Sequence, residues 1–169
     1  AVSATAFGAF ELALMHEWAP ERYADILRWA HVPLALWVLS MIGFVHFYFG
    51  AGRSWLAWAA SGFRLAGLAL NFLTGVNVNF LAVSSLEPVA FWGGAVVAGP
   101  VGDVNPWAIV PQIGNLILLV FVIDAAITLW RRGGSDARRR AVVVGGSLVA
   151  CVAAVAGPCA PNSTARLRV

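Results

Sequence analysis

Apolar residues run along this chain in five blocks separated by short polar breaks. Crossing the hydrocarbon core of a bilayer takes about 20 apolar residues at a 1.5 Å rise each. Four blocks reach or approach that length, at residues 27–50, 54–74, 107–130 and 141–157. A fifth, residues 1–16, is shorter and reads as the remaining end of a longer helix. The pattern predicts an all-α integral membrane helical bundle, residues 1–157, with four to five transmembrane helices. Pro33 and Pro111 each fall about one turn inside a predicted helix start, where a missing N–H matters least. Residues 75–106 break the helical pattern. Val78–Val83 alternates weakly, and Pro88–Trp92 and Ala95–Ala98 flank Gly93-Gly94, a pair suited to the positive φ of a two-residue turn. A small extracytoplasmic β-hairpin is expected here, packed on the helix ends because an isolated hairpin is marginal in water.

Composition agrees with a membrane location. The chain is 60% hydrophobic and 11% charged, with a mean hydropathy of +0.80, whereas soluble domains carry about 25% charged residues. Charge then gives an orientation. Five arginines, Arg131, Arg132, Arg138, Arg139 and Arg140, separate the last two blocks, while 75–106 has no Arg or Lys and carries only Glu87 and Asp103. Basic loops resist translocation, so 131–140 is expected to be cytoplasmic and 75–106 extracytoplasmic. The pI of 9.5 would suit nucleic acid, but the clustering is better explained by topology. No nucleic-acid partner is expected, and anionic lipid headgroups suit that loop. Trp18, Trp29, Trp55, Trp107 and Trp130 fall at predicted interfaces.

Ionisable groups inside the spans are the first functional candidates, because each is expensive there. His46, Arg64 and Asp124 form one predicted intramembrane cluster, with an Arg64–Asp124 ion pair joined by His46. It reads either as a structural pair fixing helix packing or as a proton- or ligand-sensitive switch. Glu11, His16, His31, Asn71, Gln112 and Asn115 lie nearer the hairpin and could line an outer pocket or simply bond between helices. Haem is disfavoured, since three histidines offer one pairing, His16 with His31, and no cofactor is expected. Walker-type, HExxH and GxSxG motifs are absent, and Gly145-Gly146-Ser147 reads as a small-residue packing face. Cys151 and Cys159 lack metal spacing and are expected to be inert. Asn162-Ser163-Thr164 matches a glycosylation acceptor, a pattern that recurs by chance. No basic region precedes the first apolar block, so no cleavable signal peptide is expected, and the apolar opening without Met suggests further chain upstream.

Several segments, read in order, resemble a known family. They are Phe10–His16, Leu27–Pro33, Phe49–Trp58, Leu70–Leu73, Asn77–Phe80, Asn105–Trp107 and Trp130–Gly133. Together, over about residues 5–155, they resemble the N-terminal multi-pass membrane region of bacterial PAS-containing sensor histidine kinases. The resemblance implies a bacterial inner-membrane input module that receives a signal, with cytoplasmic PAS and kinase modules transmitting it. It implies no ligand or catalytic residue set. Such proteins usually carry another membrane segment before the first block and several hundred residues after the last. Here the tail 158–169 turns polar, with no PAS pattern or kinase His box, so the chain itself is expected to be non-catalytic. A transporter or channel subunit using the Arg64/Asp124 pair is the competing class, followed by a haem-binding redox subunit. The lipid bilayer is the expected partner, and a homodimer and a small-molecule ligand remain open.

Overall fold

The computed structural model describes residues 2–90 and 96–156. Five helices and one two-stranded sheet follow in order: α1 (Val2–His16), α2 (Pro20–Gly43), α3 (Ser54–Leu73), β1 (Phe80–Ala90), β2 (Val96–Val104), α4 (Ile109–Arg131) and α5 (Ser135–Ala156). A single π-helical turn, Phe44–Tyr48, extends α2, and a 3-10 turn, Pro106–Ala108, leads into α4. Each helix packs on its neighbour in sequence.

Three helical segments are long and apolar enough to cross a membrane: Pro20–Tyr48, Ser54–Leu73 and Pro106–Arg131. A third or less of each apolar window is buried within the protein. A soluble helix buries its apolar stripe, so these surfaces are suited to lipid. At 15 residues, α1 rises about 22 Å. Neither it nor α5 is among the candidate spans. Trp18, Trp29, Trp55, Trp107 and Trp130 are all exposed, as interfacial rings should be.

Two helix starts differ from the sequence expectation. α2 begins at Pro20 rather than near 27, because Pro sits at the first helical position, Ala19 is extended and Glu21 occupies the first turn. Its first turns are charged and lie outside the apolar run, and with the earlier start Pro33 lies buried in the helix interior. Likewise α5 begins at Ser135, so the basic segment 131–140 is not an extended loop. It comprises the end of α4, a short turn through Gly133 (φ 73°) and Gly134 (φ 82°), and the first turns of α5.

The strands are longer than expected. Antiparallel pairing runs from Phe80 opposite Val104 to Ala90 opposite Val96, with irregularities between Phe80 and Ala82 and between Val83 and Ser85. The weak alternation at 78–83 and the run from Pro88 thus belong to one strand. Pro88 is tolerated because a two-stranded ribbon leaves one side of each strand unpaired. The expected turn at Gly93-Gly94 lies outside the described residues. The hairpin leans on α1 and α2 through a small buried cluster of Leu14, Tyr23 and Ala98, flanked by Ile26, Leu27 and Leu86. The main core lies toward the opposite, arginine-rich end. There Val38, Ile42 and Val45 meet Leu56 and Ala60 of α3, Phe121, Val122, Ala125 and Leu129 of α4, and Ala141 and Val144 of α5. Small residues at these contacts let the backbones approach closely.

Candidate functional site

Polar side chains concentrate at two nodes, one at each end of the bundle. At the hairpin end, Asn71, Asn77 and Asn105 are fully buried. Asn71, in the last turn of α3, donates through Nδ2 to the Arg28 carbonyl on α2 (2.9 Å) and accepts from the Val78 N–H (3.1 Å). Arg28 returns the contact: Nη2 donates to the Phe72 carbonyl at 2.9 Å, and the guanidinium lies 5.3 Å from the Phe72 ring. Asn77 folds the chain into β1 by accepting the N–H groups of Asn79 and Phe80 at 2.8 and 2.9 Å, as Asn does when its side chain mimics a turn. Asn105 closes the node. Its Nδ2 donates to Thr74 Oγ1 and to the Asn77 carbonyl, both at 2.9 Å, while Oδ1 accepts the Trp107 N–H at 3.1 Å as the cap of the 3-10 turn. Three amides therefore tie α2, α3, both hairpin strands and the entry to α4 into one unit. In this node Asn77 Nδ2 and Arg28 Nε are buried without a hydrogen-bond partner.

At the arginine-rich end, the α2–α3 turn is tucked into the bundle. Ala51 is fully buried, and Gly50 and Gly52 take φ of 57° and 81°. α4 grips this turn at two points eight residues apart. Asp124 Oδ2 accepts the Arg53 backbone N–H at 2.9 Å, and Oδ1 lies 3.6 Å from Arg53 Nε. Arg132 donates Nη1 to the Phe49 carbonyl at 2.9 Å and Nη2 to the Gly50 carbonyl. Arg140 stacks over Phe49 and Arg138 over Trp130.

The expected cluster of His46, Arg64 and Asp124 is not assembled. Asp124 pairs with Arg53 instead. An ideal Cβ on Gly114 would lie 3.1 Å from Phe63 Cβ and 3.9 Å from Arg64 N, which sets Arg64 level with Gly114. That is ten residues, or about 15 Å, along α4 from Asp124. The two charges lie at different levels because α4 runs past the start of α3 at the arginine-rich end. The buried Nε of Arg64 has no hydrogen-bond partner. His46 contacts the Phe47 ring edge-on, and its buried Nδ1 makes no hydrogen bond. Single Arg64→Ala and Asp124→Ala variants should therefore add in the double variant to within about 0.5 kcal/mol. Thermal unfolding in detergent measures this, and a coupling above about 1 kcal/mol would restore the pair.

The outer group does not converge on one pocket either. Only Asn71 enters the hairpin-end node. His16 and His31 donate from Nδ1 to carbonyls of their own helices, Leu12 and Leu27, both at 2.8 Å. Gln112 and Asn115 are exposed on α4, while Glu11 is half-buried on α1. Spacing along one helix could not show which faces turn inward. Asn77 and Asn105 escaped selection as site residues, although Asn-Val-Asn and Asn-Pro-Trp carry turn and cap signals. Among the described residues, no three His, Cys, Asp or Glu side chains are grouped so as to hold a metal ion. The chain matches no protein-family model, no curated protein and no solved structure.

Proposed function

We propose that this chain is a non-catalytic input module of a bacterial membrane signalling protein, similar to the membrane region of sensor histidine kinases. In this reading the hairpin lies outside the inner membrane and the arginine-rich end lies in the cytoplasm. Up to five segments, α1 and α5 included, are held in the bilayer. The observation that carries the reading is the buried asparagine node. A hairpin that merely capped the helices would need only apolar contact. Here Asn71, Asn77 and Asn105 bond it to the last turn of α3, to the entry of α4 and, through Asn71, to the Arg28 carbonyl of α2, so displacement of the hairpin is passed to α4. About 22 Å and 35 Å further along, α4 grips the α2–α3 turn through Asp124 and Arg132 and turns into α5. The sequence resemblance supplies the direction of transmission.

A hairpin-directed antibody fragment can stand in for the signal. With the protein in liposomes, its binding should alter the mobility of a spin label at Ser135, the first residue of α5. An unchanged label together with ion flux through the same liposomes would favour the transporter or channel reading.

A further inference from the structure

A pocket of about 400 Å³ opens at the arginine-rich end, where the end of α4 meets the start of α5. Its lining includes Phe49, Leu129, Arg132, Ser135, Asp136 and Arg140. We propose that it binds the phosphate of an acidic phospholipid headgroup. The inference rests on the membrane location and not on the sensing role.

Three observations converge on that ligand. The first is available charge. Arg132 is held in place by its bonds to the Phe49 and Gly50 carbonyls, which use two of a guanidinium's five N–H groups. Arg140 is steadied by the Phe49 ring, and its side chain makes no hydrogen bond among the described residues. The second is the imbalance around the pocket. Asp136 is its single carboxylate, against Arg132 and Arg140 in the lining and Arg131, Arg138 and Arg139 nearby in sequence. None of the five arginines forms an ion pair among the described residues. Like charges crowded in this way repel, and a phosphate between two guanidinium forks relieves the repulsion while taking bidentate bonds. The third is position. The pocket lies at the end of the α4 span, where Leu129 of its lining is followed in sequence by the exposed Trp130, and Phe49 and Leu129 give it an apolar side. Basic pockets beside the ends of membrane helices suit anionic headgroups, and a volume near 400 Å³ lies within the usual range of ligand sites.

The test uses the full chain in a non-ionic detergent, with lipid occupancy followed by native mass spectrometry. Dioctanoyl phosphatidylglycerol should bind one-to-one, and dioctanoyl phosphatidylcholine much more weakly. Arg140→Gln should weaken phosphatidylglycerol binding roughly tenfold, whereas Arg139→Gln, the same charge change outside the lining, should weaken it less than about twofold. Asp136→Asn should tighten binding, so the proposal does not depend on loss-of-function variants alone. Equal weakening by Arg139→Gln and Arg140→Gln would reduce the effect to diffuse attraction and overturn the site. Equal binding of phosphatidylcholine would also overturn it. Displacement of phosphatidylglycerol by millimolar inorganic phosphate would assign the pocket to a free anion and overturn the lipid.

Discussion

Replacing Asn105 with Ala should lower stability by about 3 kcal/mol or more and loosen the hairpin from the helices. The side chain makes three hydrogen bonds in a fully buried site. Truncation leaves the Asn77 carbonyl and the Trp107 N–H without those partners, and each buried group so stranded costs about 1–3 kcal/mol. Against a total folding stability of about 5–15 kcal/mol, that is a large share. Asn115→Ala is the matched control, since Asn115 is exposed on α4 and should shift stability by less than about 0.5 kcal/mol. Thermal unfolding in detergent compares the two, and hydrogen exchange at the Trp107 amide reports on the node itself. Similar losses for both variants would show that the node does not hold the hairpin.

Gly52→Ala should be comparably severe at the other end. Gly52 has a φ of 81°, and an added Cβ would lie 2.5 Å from Phe121 Cε2 and 3.1 Å from Cδ2. The left-handed backbone costs an L-residue about 1–2 kcal/mol. Crowding a packed ring costs about 1–3 kcal/mol more, because Phe121 is fully buried and has little room to yield. The two contributions separate experimentally. Phe121→Leu alone should destabilise by leaving space, yet in the Gly52→Ala background it should relieve the clash, leaving only the backbone strain. Denaturant unfolding of the four-member cycle should therefore show a strong favourable coupling. Simple additivity would mean that the turn moves away from Phe121 freely.

The two severe sites were unequally legible in the sequence. Hydrophobic run length located the three membrane-length helices, because backbone satisfaction in lipid leaves a long apolar run little choice but to be helical. The hairpin followed from Gly-Gly between two apolar runs, although its strands extend to Phe80 and Val104. What the sequence could not carry was register between helices. The expected Arg64–Asp124 pair requires the two charges to lie at one level of the bundle. The true offset between α3 and α4 is visible only where Gly67 meets Pro111 and Gly114 meets Phe63. Arg53, at the start of α3, is the residue that pairs with Asp124 of α4. The boundary errors share a cause. The first turns of α2 and α5 are charged and so fall outside the apolar runs, although Pro20 with Glu21, and Gly133 before Ser135 and Asp136, are ordinary start and stop signals.

Which end of the bundle faces the cytoplasm decides the path from hairpin to arginine-rich end, and single-cysteine labelling in intact cells measures it directly. In a background with Cys151 and Cys159 replaced by Ser, one cysteine is placed at Ser84 on β1 or at Ser135 at the start of α5; both positions are exposed. An impermeant maleimide should label position 84 in intact cells and position 135 only after permeabilisation. Labelling of 135 but not 84 in intact cells would invert the bundle and contradict the proposed path from hairpin to arginine-rich end.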